Sequence, residues 1–262
     1  MREEREALTS LLASLTPEEW GAHAIGVWNV HDVALHLLGN DLGRLGPSGF
    51  SGGRDDLDYA TLAKLIEDDN DRWVEATRRI SPVLLPELLS LTGSRLDRRL
   101  ATVDMHAPGV PVAWTGTGPS PAWLDVAREY TERWVHHQQI RNAVEREALM
   151  DPKWAHPAFE TFSLALPRAY DDVAASEGTQ IRVAVTGPAG GSWFLRRDED
   201  RWRIVDAAEH AAAQVDIPQE IAWRLFVRLM PPEEALSSIT RHGSGELTSP
   251  ACSNVAIMTT HA

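Results

Sequence analysis

The feature that most constrains the fold is a change of sequence pattern near Gly178. Before it, apolar residues recur at the three- and four-residue spacing of helices that bury one face. After it, short segments alternate between apolar and polar residues as half-buried strands do, and these segments are 181–185, 192–195, 202–205 and 214–217. We therefore predict an α+β protein, in which a helical domain at residues 1–155 precedes a smaller α+β domain at residues 156–262.

Composition and charge argue against several classes of protein. The 262 residues are 43% hydrophobic and 24% charged, as in ordinary globular proteins, and no segment is apolar for the ~20 residues that a membrane span needs. The start is too charged for a signal peptide, and the single Cys252 excludes an internal disulfide, so a reducing cytoplasm is expected. A net charge of −13 argues against nucleic acid, whose phosphates attract Lys and Arg.

One helix is expected to begin near Asn29 and to end near Gly46. Asn29 is a favourable N-cap, and Asp32 places a negative charge in the first turn, where the helix dipole favours it. His36 falls at the edge of the broad apolar face of this helix, about 130° from the centre of that face. Periodicity therefore allows His36 to point to a rim or a cavity without identifying it as a ligand.

A second, longer helix is expected at about residues 120–149, and it carries Glu132 and His136. Residues four apart lie on one side of a helix, so this carboxylate and this imidazole could hold one metal ion. The alternative is an exposed pair that contributes only a few tenths of a kcal/mol to helix stability. His137 points about 100° away from His136 and is left out of the site. A third ligand must come from elsewhere, and His36 is the best candidate.

The remaining pattern predicts further helices and two loops. Helices are expected at 1–20, 58–80, 82–100, 157–176, 218–230 and 249–258. The segments Ser48–Asp56 and Met105–Pro119 are rich in Gly and Pro, and long loops in compact domains are usually functional. We expect such loops to determine the substrate.

Three motifs resemble one known family. They are the segment from Trp28 to Leu37, in which His36 lies, the irregular stretch at 112–116, and Glu132-x-x-x-His136 followed by Gln139-Ile140-Arg141-x-Ala143. Together they resemble the DinB-like four-helix bundle of the mycothiol-dependent maleylpyruvate isomerase family, in which an Asp usually stands where this chain has Gln139. The back part is similar, more weakly, to the sterol-carrier-like C-terminal domain of that family. There Val227 stands in place of a glycine before Arg228.

The resemblance implies a chemistry. It implies a divalent metal, with zinc expected, held by His36, Glu132 and His136, and three protein ligands leave a position open as in catalytic zinc sites. It implies mycothiol as the thiol cosubstrate, whose thiolate would isomerise or substitute a small electrophile. Arg228 would bind a carboxylate of that substrate. Trp28, Trp114 and Gln139 are expected to line the substrate or cofactor site.

Two other functions stay open at this point. The same metal could activate water, which would make the protein a zinc-dependent hydrolase or amidase. The protein could also be a non-catalytic binding protein that holds an apolar ligand in the bundle and the carrier-like domain. The sequence names neither the substrate nor the oligomeric state, and fold similarity does not transfer specificity.

Overall fold

The computed structural model describes residues 1–46, 59–115, 120–207 and 210–256. The described residues divide into two compact units, one formed by residues 1–111 and 120–149, the other by residues 112–115 and 150–256. The boundary that we placed between residues 155 and 156 stays a prediction. The expected loop Ser48–Asp56 lies outside the described residues, as do the last four residues of Met105–Pro119.

The first unit is helical. Its helices are α1 (Arg2–Ala13), α2 (Pro17–Trp20), α3 (Val30–Leu45), α4 (Tyr59–Thr77), α5 (Leu85–Leu100) and α6 (Ala122–Ala143). Two small antiparallel pairs of strands accompany them, formed by β1 (His23–Ile25) with β2 (Trp28–Asn29) and by β3 (Pro108–Gly109) with β4 (Ser120–Pro121). None of the described helices is long and apolar enough to cross a membrane.

The second unit places helices around a mixed sheet. Its helices are α7 (Pro152–Ser163), α8 (Leu166–Ala169), α9 (Gln219–Phe226), α10 (Pro232–Ala235) and α11 (Gly245–Cys252). Its strands are β5 (Gln180–Thr186), β6 (Gly191–Arg197), β7 (Trp202–Val205), β8 (Ala213–Pro218) and β9 (Thr240–His242). They are ordered β7-β6-β5-β8-β9, with β5 and β8 parallel and the other neighbours antiparallel. The predicted α+β class, helical first and with a sheet second, is confirmed.

Helix α3 is the central helix of the first unit. It begins where expected, because the Asn29 side chain accepts a hydrogen bond from the Asp32 amide at 2.9 Å while the Asp32 carboxylate accepts one from the Asn29 amide. Val33, Leu35 and Leu37 on its different sides are all fully buried. The helix is therefore enclosed by neighbours, and His36 is buried with the rest although it lies off the apolar face.

Several elements differ from the prediction. The helix expected at 249–258 lies at Gly245–Cys252, and the helix expected at 218–230 ends at Phe226. Helix α6 ends at Ala143 because Glu145 adopts a left-handed conformation, with φ of 53°, and the Arg146 amide turns back to the Arg141 carbonyl. The helix expected at 157–176 is divided into α7 and α8, since Pro167 has no N–H to offer the carbonyl four residues earlier. Strand β9 was missed because its exposed residues show no apolar alternation.

A buried charge network joins four helices of this unit. Asp41 of α3 is fully buried and accepts hydrogen bonds from Arg5 of α1, from Arg133 of α6 at 2.8 Å and from the Thr92 hydroxyl of α5 at 2.6 Å. A carboxylate in such a position needs paired charges and hydrogen bonds to offset its lost hydration. The network therefore holds α1, α5 and α6 in register with α3.

Glu4 and His137 extend the network. Their side chains are fully buried and meet at 2.9 Å. Burial alone would raise the pKa of Glu4, but the hydrogen bond with His137 and the charges of Arg133 and Arg5 hold that pKa below its usual value. His137 is thus engaged in the interior, on a different side of α6 from His136.

We expect Asp41→Ala to destabilise the protein by about 3–5 kcal/mol, because it removes the carboxylate to which the buried guanidinium groups of Arg5 and Arg133 donate hydrogen bonds. The control is Asp97→Ala, which breaks an ion pair with Arg2, a residue whose side chain is 75% exposed. We expect this control to cost less than about 1 kcal/mol. Urea denaturation of the two variants measures both values, and equal losses would contradict a structural role for the network.

Candidate metal site

A polar seam runs between α3 and α6. On α6, Asp125, Glu129, Glu132 and His136 lie within about 60° of one another around the helix axis. They face His36, Asn40 and Arg44, which follow one another at four-residue intervals on α3. The two helices run antiparallel, since His36 contacts Glu132 and His136 while Arg44 contacts Glu129 and Asp125.

Three potential metal ligands converge at one end of this seam. The Nε2 atom of His36 lies 2.9 Å from Oε1 of Glu132, and Nε2 of His136 lies 3.2 Å from the same oxygen. The ligand atoms of the three residues all lie within 4.8 Å of one another. Among the described residues, this is the group of His, Cys, Asp and Glu side chains whose spacing suits a metal ion. The sequence-based hypothesis named the same three residues.

Burial and charge shape the site. The two imidazoles are buried, with 2% exposure for His36 and 6% for His136, whereas the Glu132 side chain is 27% exposed. Burial lowers the pKa of His36 more than the hydrogen bond that Glu132 accepts from it raises that pKa, so the neutral imidazole, which can bind a metal, is favoured. Burial alone would raise the pKa of Glu132, but His136 and His36 hold that pKa well below its usual value. Glu132 is therefore an anion.

Gln139 orients His136. Its side-chain oxygen Oε1 lies 2.7 Å from Nδ1 of His136 and accepts a hydrogen bond from it, so Nε2 is directed toward Glu132. Metal-binding histidines usually hold their second ring nitrogen in this way, with a carboxylate or carbonyl as acceptor. The amide of Gln139 makes the contact without a charge. The Asp that the family resemblance leads one to expect at this position would add a negative charge here, and Gln139 adds none.

The donor set fits a divalent cation. With Nδ1–H of His136 donated to Gln139, Nε2 of His136 faces the anionic Oε1 of Glu132 at 3.2 Å, and a proton or a cation between the two atoms makes this contact favourable. Two ligand atoms of a tetrahedral zinc site lie about 3.4 Å apart. The distances from Oε1 of Glu132 to Nε2 of His36 and of His136, 2.9 Å and 3.2 Å, are close to this value. Two imidazoles and one carboxylate are ligands that zinc accepts.

Asn40 is a residue that sequence reasoning missed. Its side-chain nitrogen lies 3.1 Å from Nε2 of His36 and 3.4 Å from Oε1 of Glu132. It is buried and lies one turn after His36 on α3. That four-residue interval was the available signal, since a residue one turn from a ligand lies on the same side of the helix.

The other predicted site residues lie in different surroundings. Trp28 is buried and its ring lies 5.1 Å from that of His36, beside the metal ligands. Trp114 is buried in the second unit, on a short 3-10 helix. Arg228 is exposed just after α9, also in the second unit. The structure thus groups Trp28 and Gln139 with the three ligands, and it assigns Trp114 and Arg228 to the other unit.

Arg228 has a left-handed backbone, with φ of 59°. Its amide bonds to the Leu225 carbonyl, and the Leu229 amide bonds to the Arg224 carbonyl, which is the pattern that ends many helices with a glycine. The glycine-favouring position is therefore Arg228 itself, since Val227 has a negative φ. The substitution at Val227 leaves the helix end intact.

Comparison with known proteins identifies relatives. The family model described as the mycothiol maleylpyruvate isomerase N-terminal domain matches residues 1–141. No curated protein sequence matches the chain. The crystal structure of the mycothiol-dependent maleylpyruvate isomerase is similar, with a TM-score of 0.50 and 14% identity, over 86% of this chain and 84% of that one. A histidine-to-alanine mutant of that isomerase gives a TM-score of 0.49, with the same identity and coverage. At this identity, the likeness is one of fold.

We expect the wild-type protein to bind one zinc ion per chain, and His36→Ala and His136→Ala to lose it, because each removes a ligand. Gln139→Ala should weaken zinc binding by about 10- to 100-fold, since it frees the ring of His136 to rotate. The control is His156→Ala, which removes a partly exposed imidazole of the second unit. Zinc titration with a competing chelator measures the affinities of the five proteins. If all the proteins bind zinc equally and negligibly, the prediction that His36, Glu132 and His136 hold a zinc ion is wrong.

Proposed function

The chain belongs to the mycothiol maleylpyruvate isomerase family, whose N-terminal domain model matches more than half of its residues, and from this membership we propose a metal-dependent enzyme that uses mycothiol. The observation that carries the proposal is the convergence of His36, Glu132 and His136 within 4.8 Å. Three protein ligands leave room for an exogenous one, as in catalytic zinc sites. A bound divalent metal would supply a thiolate at neutral pH by lowering the pKa of a coordinated thiol.

The nucleophilic sulfur is proposed to come from outside the chain. The one cysteine, Cys252, is 2% exposed, and burial raises the pKa of its thiol. A buried thiol of raised pKa is a poor nucleophile, because the thiolate is the reactive form. The chain therefore offers a site for a thiol without offering a reactive thiol of its own, which is consistent with a small-molecule cosubstrate.

The proposed reaction is a cis–trans isomerisation of a small unsaturated carboxylate. The thiolate adds to one carbon of a double bond conjugated to a carbonyl, and the π electrons move to the carbonyl oxygen. The former double bond is now single and rotates. The electrons then return, the carbon–sulfur bond breaks, and the thiolate leaves unchanged. With a leaving group on the electrophile, the same nucleophile would perform S-transfer.

The residues around the ligands have supporting roles in this proposal. Gln139 keeps Nε2 of His136 directed at the ligand position, and Asn40 does the same for the Glu132 carboxylate by contacting Oε1. Trp28, packed against His36, restricts the motion of that ring and shields it from water. We propose Arg228 as the group that binds the substrate carboxylate, since a guanidinium matches a carboxylate with two hydrogen bonds.

The zinc-loaded protein is expected to isomerise maleylpyruvate only when mycothiol is added, and His136→Ala should abolish the reaction. The measurement is the initial rate with and without the thiol, with zinc content determined on the same samples. Turnover in the absence of any thiol would instead favour a metal-activated water as nucleophile. No turnover under either condition would refute the isomerase proposal for this substrate.

Arg228→Gly separates a functional role from a structural one. Because a non-glycine residue at positive φ costs about 1 kcal/mol, the variant should be slightly more stable and yet less active. The matched control is Glu145→Gly, which relieves the same conformation at φ of 53° on an exposed residue after α6. We expect a similar gain in stability with unchanged activity. Thermal unfolding and initial rates provide the measurements, and equal activity of the two variants would exclude Arg228 from the substrate site.

A further inference from the structure

Glu129 is a buried carboxylate in the polar seam, next to the metal ligands. It is 3% exposed and lies three residues before Glu132 on the same side of α6. One of its oxygens, Oε2, accepts a hydrogen bond from Nε of Arg44. The other oxygen, Oε1, is buried and receives no hydrogen bond from any residue in the described ranges.

The neighbouring carboxylate of the seam differs in this respect. Asp125 receives the two terminal nitrogens of Arg44, each at 2.9 Å, one on each of its oxygens, and Arg128 adds a further hydrogen bond. Arg44 therefore directs all three of its guanidinium nitrogens at these two carboxylates. Asp125 is fully satisfied, whereas Glu129 retains one buried acceptor. A buried acceptor without a donor is unfavourable, so Oε1 is suited to a donor from a ligand.

The position of Glu129 relates it to the metal site. Glu129 precedes Glu132 by three residues, so the two side chains lie one turn apart on the side of α6 that faces α3. Glu129 is nevertheless outside the group of ligand atoms that could share one ion. Glu129 thus lies one helical turn from the ligand Glu132 and is not expected to bind the metal itself.

We propose that Oε1 of Glu129 binds an N–H or O–H group of the thiol cosubstrate, an inference that rests on the proposed function. Mycothiol carries amide and hydroxyl groups, which are donors. The electrophile of the proposed reaction carries a carboxylate, which has no hydrogen to donate to Oε1. Glu129 therefore selects a thiol rich in polar hydrogens over a simple alkyl thiol.

Glu129→Gln tests this role. The Arg44 guanidinium donates hydrogen bonds and holds the amide oxygen toward itself, so the amide NH2 takes the place of Oε1 and replaces an acceptor with a donor. We expect mycothiol to bind the zinc-loaded variant about 10- to 100-fold more weakly, the range of a lost hydrogen bond to a charged group. Ethanethiol has no N–H or O–H, so its affinity should be unchanged. Isothermal titration calorimetry with the two thiols measures this difference.

Two further variants keep the test decisive. Asp125→Asn removes one negative charge from the same Arg44 and leaves Glu129 in place, so it should bind both thiols like the wild type. Glu129→Asp keeps the charge that Arg44 requires for folding and withdraws the oxygens by one methylene, so it should weaken only mycothiol. Zinc content and thermal unfolding are measured for every variant.

The opposing outcomes are distinct. The inference is overturned if Glu129→Gln and Glu129→Asp bind mycothiol like the wild type, which would mean that a water molecule satisfies Oε1. It is also overturned if Glu129→Gln weakens the binding of both thiols equally, or if Asp125→Asn weakens mycothiol binding as much as Glu129→Gln does. Either result would mean that the loss comes from a displaced Arg44 and not from a lost hydrogen bond to the thiol. If the wild type itself binds neither thiol, the proposed function fails, whatever the variants do.

Discussion

The first unit depends on the burial of Asp41 between two guanidinium groups. Arg5 comes from α1 and Arg133 from α6, and neither guanidinium has another described carboxylate as close as Asp41. Desolvated charges tolerate little displacement, because their attraction must offset lost hydration. Asp41 directly follows Asn40, and Arg133 directly follows Glu132. The ion pair that sets the register of α3 against α6 is therefore one residue away from the site on both helices.

This register produces a continuous polar seam rather than an isolated metal site. From His36 to Arg44, each turn of α3 presents a polar side chain to a partner on α6. One end of the seam groups two imidazoles and a carboxylate, and the other is a closed set of ion pairs around Arg44. Glu129 lies between these two ends. Its Oε2 accepts a hydrogen bond from Arg44, and its Oε1 has no partner among the described residues. The seam thus combines ligands, their orienting groups and a position for a polar ligand hydrogen.

The departures from the family pattern have different consequences. Gln139 accepts a hydrogen bond from Nδ1 of His136 with an uncharged amide. The imidazole is therefore oriented without becoming more basic, as it would beside a carboxylate. Val227 has no consequence for the helix end, since the left-handed position falls on Arg228. An arginine at a position that favours glycine is a local conflict, and Glu145 after α6 has the same conformation.

Features that depend on neighbours along the chain were predictable from the amino-acid sequence. The Asn29–Asp32 capping pair set the start of α3, the strand alternation predicted β5 to β8, and the four-residue interval placed Glu132 and His136 together. Joining them to His36, 96 residues away along the chain, required the family resemblance, because helical periodicity left its direction open. Only the tertiary structure revealed the buried Asp41 network and the unpaired oxygen of Glu129. The reason is physical: spacing fixes the angle between residues on one helix, whereas contacts between helices depend on how whole faces pack.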